Sequence, residues 1–215
     1  MTSSVAPHGR EAVVARGRAL GQGRVVVIMV HGRGAGPLNI LDLAPAIGHP
    51  DATYLAPTAA GGTWYPTGFM SPMAQNEPGI TSGISVVHGL LDDAIAAGVP
   101  AERVVLLGFS QGACLACTAA QRRPARYGGV VALSGGLIGP PGTAWSEQGT
   151  FGGAPAFFGC SDVDGHIPAG RVRESAALFE RMGASVTATL YPGMGHAVND
   201  DEIRIAREII ATAAA

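Results

Sequence analysis

The sequence predicts an α/β fold in which a mostly parallel central sheet is flanked by helices. Three observations point there. Short β-branched apolar runs alternate with longer Ala-rich segments of helical period, the pattern of βαβ units. The apolar runs are continuous rather than alternating, as strands covered on both faces require. Breakers stand where helices should stop, with Gly98, Pro124 and Gly183 each following a helical segment.

Taken along the chain, a helix is expected over Glu11 to Leu20 and a strand over Arg24 to Val30. A strand at Thr53 to Ala56 and a helix at Gly79 to Ala97 follow, then a strand at Arg103 to Leu107 and a helix at Gln111 to Arg122. Strands are expected at Gly129 to Leu133 and Pro155 to Gly159, a helix at Arg171 to Met182, a strand at Val186 to Tyr191 and a last helix at Asp200 to Ala214. The segment from Pro57 to Pro78 fits neither period. It is rich in Gly and Pro yet carries Trp64, Tyr65, Phe69, Met70 and Met73. Long irregular segments in compact domains are often functional. It is therefore the expected pocket wall, with Trp64, Tyr65, Phe69 and Met73 as candidate substrate-binding residues.

Composition narrows the function classes. At 215 residues and 47% hydrophobic content, the chain can bury one sizeable core, and a single domain over residues 1–215 with no separate cap is expected. Fourteen basic against sixteen acidic side chains leave a formal charge of -2, with no basic run to follow a phosphate backbone, so nucleic acid is not an expected partner. Every basic residue is arginine. The absence of lysine removes amine nucleophiles, Schiff bases and phosphate-binding P-loops. Met1 to Arg10 is polar and lacks the apolar core of a signal peptide, and the longest strongly apolar run, Val25 to Val30, is far short of the roughly 18 residues of a membrane span. A cytoplasmic protein without a membrane span is expected, and a homodimer is compatible with the composition. Three cysteines, Cys114, Cys117 and Cys160, are an odd number without an export signal, which argues against a disulfide framework. Cys114 and Cys117 form a C-x-x-C inside a helical segment and read as buried apolar thiols.

The chemistry centres on Gly108-Phe109-Ser110-Gln111-Gly112, a G-x-S-x-G pattern in which a serine sits on a tight strand-to-helix turn. The apolar run Val104 to Leu107 precedes it and a helical pattern starts at Gln111. Such a helix start places positive potential where an oxyanion would form. Ser110 is therefore the expected nucleophile.

A serine hydroxyl needs a base, and in this architecture the order along the chain is Ser, acid, His. His196 lies after the last expected strand and before the last helix, at the carboxyl edge of the sheet where ligands collect. His166, the other histidine beyond Ser110, follows the candidate acids by a few residues and reads as a pocket-lining residue. Two aspartates, Asp162 and Asp164, share one loop after an expected strand, and spacing alone does not separate them. The unused one would serve a turn or cap. An oxyanion site needs the backbone N–H after the nucleophile, that of Gln111, and one from an early loop. His31-Gly32-Arg33-Gly34 follows the first strand and offers Arg33. G-x-G-x-x-G is absent, so no dinucleotide cofactor is expected, and the scattered histidines suggest no metal.

These residues resemble the phospholipase/carboxylesterase group of α/β-hydrolases, which includes acyl-protein thioesterases and small bacterial carboxylesterases. The likeness runs from the His31-Gly32 loop to His196. It rests on the G-F-S-Q-G elbow at Gly108 to Gly112, on Asp164-Gly165-His166-Ile167-Pro168 in the register of a D-x-x-[VI]-P pattern, and on Gly193-Met194-Gly195-His196 as G-x-x-H. The resemblance selects Asp164 as the acid and implies a minimal α/β-hydrolase fold. It also implies a serine hydrolase of small esters or thioesters. Gly165 stands where proline is frequent, and the Trp64 to Phe69 segment departs from the thioesterase pattern. A catalytically silent binding protein on the same fold, or a dienelactone-hydrolase-like activity on cyclic esters, is the alternative.

Overall fold

The computed structural model describes residues 7–9 and 13–215. Seven strands form one sheet: β1 (Val13–Gly17), β2 (Val25–Val30), β3 (Ala52–Pro57), β4 (Val104–Phe109), β5 (Gly129–Leu133), β6 (Pro155–Ser161) and β7 (Ser185–Tyr191). Their spatial order is β1-β3-β2-β4-β5-β6-β7, with only β1 antiparallel to its neighbour. The helices are α1 (Pro37–Leu41), α2 (Met73–Asn76), α3 (Gly79–Ala96), α4 (Gln111–Arg122), α5 (Ala169–Arg181) and α6 (Asp200–Ala214). This is the mostly parallel α/β sheet that the alternation of apolar runs and helical segments predicts, in the α/β-hydrolase form that the family resemblance implies.

The central strands β2 and β4 are VVVIMV and VVLLGF, buried along almost their whole length. One core layer packs α3, α4 and α5 against one face of the sheet, through Ile84, Leu115 and Phe179 among others. The other packs α1 and α6 against the opposite face, through Ile40, Leu41, Ala206 and Ile210. Burial on both faces explains the continuous rather than alternating apolar pattern. At the edge, β7 is largely part-exposed and reads SVTATLY, with Thr among its apolar residues.

Three expectations need correction. Of the segment predicted as a helix over Glu11 to Leu20, Val13 to Leu20 forms β1 and a turn, and Glu11 and Ala12 lie outside the described residues. The exposed edge of β3 offers a ladder, and Val13 to Gly17 pairs with Pro57 to Thr53 along it, which outweighs a weak helical period. The short helix α1 was not expected, although Pro37 at its first position is a standard helix-starting residue. The long segment after β3 is not wholly irregular, since it contains a 3-10 turn at Ala60–Gly62 and the helix α2.

The start of α4 lies against the ends of β2 and β4. A Cβ on Gly112 would stand 2.1 Å from Val30 O and 2.5 Å from His31 O, and one on Gly108 would stand 2.4 Å from Gly112 O. Only hydrogen fits at either place. Gly112→Ala is expected to lower the unfolding free energy by about 3 kcal/mol. A urea titration reads the change, and an unaltered midpoint would contradict the packing described.

Candidate active site

Ser110 is the turn between β4 and α4, with φ 55° and ψ −121°. A non-glycine residue in this region is strained and persists only where its surroundings hold it. Here Ser110 N donates to Leu133 O at 2.9 Å, and its carbonyl accepts from Cys114 N at 3.0 Å in the first turn of α4. The hydroxyl is thereby left at the carboxyl edge of the sheet.

Three side chains meet there from three loops. His196 Nε2 lies 2.8 Å from Ser110 Oγ, and His196 Nδ1 lies 2.7 Å from Asp164 Oδ2. An ionised carboxylate only accepts, so Nδ1 carries the proton and the Nε2 lone pair faces the serine hydroxyl. The Asp164 side chain is fully buried. Its Oδ1 accepts from the His166 and Ile167 amides at 2.8 and 3.0 Å, and the Cys160 thiol donates to Oδ2 at 3.6 Å. Burial acts to raise the Asp164 pKa, but the hydrogen bonds from His196 and the two amides outweigh it and hold the carboxyl below its ordinary value. Cys160 is pushed up to about 12, first by burial and then by Asp164. It remains a thiol, and therefore a donor.

Asp162 takes a different part. Its side chain is exposed and accepts from Gly193 N at 2.8 Å, while Ser161 Oγ accepts from Gly195 N at 3.0 Å. The loop after β6 thus holds the loop that carries His196. Asp162 thus braces a turn, the kind of role the sequence leaves to one of the two aspartates.

Arg33 and Gln111, the two residues expected to offer backbone amides, border the same cleft as Ser110. Gln111 N, at the first position of α4, has no intrahelical acceptor. Arg33 N likewise donates to no acceptor among the described residues. The Arg33 side chain reaches away, donating to Pro66 O at 2.9 Å and to Thr67 O, with its guanidinium 5.9 Å from the Tyr65 ring centre. The Gln111 side chain accepts from Trp64 N at 2.9 Å and donates to Tyr65 O at 2.8 Å. The x in S-x-G therefore pins the aromatic segment to the elbow.

A cleft of about 300 Å³ opens over Ser110 and His196, bordered by Arg33, Tyr65, Phe69, Gln111 and His166. His166 is exposed and its ring meets that of His196 edge to face, with centroids 4.8 Å apart. Tyr65 and Phe69 thus lie where expected, but Trp64 and Met73 do not. Trp64 is fully buried beneath the cleft, its indole N–H donating to His31 O at 2.9 Å. It shapes the early loop from below. Met73 borders a separate hollow with Thr118, Ile138 and Trp145. Gly68, Cys114 and Ile167 complete the cleft; Gly68 belongs to the segment expected as the pocket wall and Ile167 to the Asp164 motif, whereas Cys114 was read only as a buried thiol. Cys114 and Cys117 are fully buried, and burial raises both thiol pKa values, Cys114 to about 11. Among the described residues no group of three or more His, Cys, Asp or Glu could hold a metal ion, and no helix is long and apolar enough to cross a membrane.

Residues 10–214 match the Phospholipase/Carboxylesterase family. The chain belongs to that family. It is similar to the acyl-protein thioesterase 1 of Neurospora crassa, at 28% identity over 60% of this chain and 54% of that protein. The yeast Saccharomyces cerevisiae has an acyl-protein thioesterase 1 that is 28% identical over 72% of this chain and 71% of its own length. The chain thus spans about half the length of the Neurospora relative. Among solved structures, a phospholipase/carboxylesterase from Dyadobacter fermentans superposes with a TM-score of 0.90 at 33% identity, covering 97% of this chain and all of that one.

Glu202 lies under the His196 loop. It closes a capping box with Asn199, accepting from Asn199 N at 2.9 Å through Oε2 while its own N–H donates to Asn199 Oδ1. The carboxyl is fully buried and Oε1 has no partner among the described residues. Burial raises its pKa from 4.5 to about 7. Between those two values the folded state holds a proton that the unfolded state has lost. Stability therefore falls as pH rises through this window, by up to about 1.4 kcal/mol per pH unit. Glu202→Gln is expected to flatten the slope between pH 4.5 and about 7 in urea titrations across pH, whereas an unchanged slope would place the titration elsewhere.

Proposed function

We propose that the chain is a serine hydrolase that cleaves small carboxylic esters or thioesters through an acyl-enzyme. The observation that carries this reading is the unbroken chain of hydrogen bonds from Ser110 Oγ through His196 to Asp164, with the Gln111 amide free at the start of α4 and the Arg33 amide free on the early glycine loop.

In this mechanism Ser110 Oγ attacks the acyl carbonyl carbon while its proton passes to His196 Nε2. The carbonyl oxygen becomes an oxyanion, stabilised by the amides of Arg33 and Gln111 and by the positive end of α4. Asp164 holds the ring with Nδ1 protonated and stabilises the imidazolium. Nε2 then returns the proton to the departing oxygen or sulfur, whose bond to the acyl carbon breaks. A water molecule, deprotonated by the same nitrogen, attacks the acyl-serine ester, and the acid leaves as Ser110 recovers its proton. The cleft is at the small end of the range for ligand sites, roughly 300–1,000 Å³. Its walls of Tyr65, Phe69 and Ile167 suit a short apolar acyl group. His166, exposed at the rim, contributes a polar contact to the bound ester.

The reading is checked by turnover of p-nitrophenyl butyrate and by intact mass after fluorophosphonate treatment. The wild type should gain one adduct and Ser110→Ala none, with its turnover abolished; an unlabelled wild type would instead favour a binding protein on the hydrolase fold. Asp164→Asn is expected to lower kcat on the order of 10⁴-fold, while Asp162→Asn, which loosens a loop and leaves the ring pair intact, should lower it far less. The reverse ranking would reassign the acid.

A further inference from the structure

Beside the elbow lies a second hollow that the proposed chemistry leaves unused. It encloses about 280 Å³, with Ile40, Leu43, Phe109 and Val198 on its apolar side and Gly32, Ala35 and the polar His31 and Asn39 completing the border. Leu43, Phe109 and Val198 are part-exposed members of the core layer beneath α1 and α6, and Ile40 is buried in it. The lining is thus mostly apolar, with His31 and Asn39 as its polar members.

The hollow and the cleft share a border. Arg33 belongs to the cleft, while Gly32 and Ala35, on the same loop, belong to the hollow. Gly32 has no side chain, and a Cβ placed there would lie 3.4 Å from both Ser110 Cβ and the Phe109 ring. At Gly32 the boundary between the hollow and the nucleophile is therefore backbone alone. The Phe109 ring packs on the His196 imidazole with centroids 5.0 Å apart, and Val198 follows His196 by two residues. Two walls of the hollow thus belong to the surroundings of the base.

Acyl transfer sends the substrate's two arms in different directions from the carbonyl carbon. The departing oxygen or sulfur must lie against His196 Nε2 to receive its proton. Resting on the serine-hydrolase reading, we infer that this hollow is the leaving-group subsite. It takes the apolar part of the alcohol or thiol, a short alkyl chain or an aromatic ring, while the acyl arm enters the cleft of Tyr65, Phe69 and Ile167. The substrate class is then an ester or thioester with apolar groups on both sides of the carbonyl.

The test compares two series of esters. One keeps the acetyl group and varies the alcohol (ethyl, hexyl and 2-naphthyl acetate); the other keeps ethanol and lengthens the acyl chain (ethyl acetate, butyrate and hexanoate). Leu43→Trp fills the hollow from the α1 side, and Ala35→Phe fills it from the opposite wall, so that misfolding of one leaves the other to report. In the wild type kcat/KM should rise with the size of the alcohol. Either variant should lower the kcat/KM ratio of 2-naphthyl to ethyl acetate by about tenfold while the hexanoate-to-acetate ratio holds. An active enzyme whose alcohol ratio does not move, or whose acyl ratio falls instead, would overturn the subsite. A wild type that turns over no ester in either series would overturn the hydrolase reading itself, a result distinct from the first.

Discussion

Close backbone packing at Gly108 and Gly112 is the constraint on which the site depends. The chain must reverse from β4 into α4 while the first turn of the helix touches the ends of two strands. A Cβ at either glycine would lie within 2.5 Å of backbone atoms. Ser110, held between them at positive φ, has little conformational choice. Its hydroxyl points out of the sheet edge because the backbone on both sides is already engaged. Strain at the serine is thus balanced by packing that involves no catalytic atom.

From that point the pocket is built outward through polar contacts rather than apolar ones. Gln111 grips Trp64 and Tyr65 by their backbones, and Trp64 in turn donates to His31 O. His31 closes the circuit, with Nδ1 against Gly32 O and Nε2 accepting from Ala59 N; burial lowers its pKa and favours the neutral ring that this pairing needs. The elbow, the early glycine loop and the aromatic segment are therefore one hydrogen-bonded unit. An irregular stretch rich in Gly and Pro is held in shape because its backbone groups are satisfied by side chains.

How much of this was legible depended on whether a residue's role is local. The buried strands announced themselves as continuous apolar runs, and the elbow as a serine between a strand and a helix. The family likeness picked Asp164 over Asp162, but the residues alone could not, since both stand on one loop and the difference is whether the side chain turns inward to four donors or outward to Gly193. The segment at β1 failed for a similar reason: VVARG becomes a strand because the edge of β3 is open, a fact about another part of the chain. Trp64 was misplaced because an aromatic in an irregular segment looks like a pocket wall, whereas its indole N–H had a partner in the core. Cys160, whose thiol supports Asp164, carries no signal in sequence at all.

The three residues of the site reach one another although they are 32 and 86 positions from His196, and the sheet explains how. Past the ends of β4, β5 and β6, one amide continues the pairing onto the next strand: Ser110 N to Leu133 O, Ser134 N to Gly159 O, and Asp162 N to Tyr191 O. The sheet edge is thus stepped, and each step is fixed to its neighbour by a hydrogen bond just before the chain turns away into a loop. Ser110 stands on the first step and Asp164 just beyond the third. The His196 loop leaves β7 and is tied back to that third step by Ser161 and Asp162. Small shifts of a single loop are therefore resisted by two strands at once, which is how long-separated residues can hold contacts of 2.7 and 2.8 Å without a rigid element of their own.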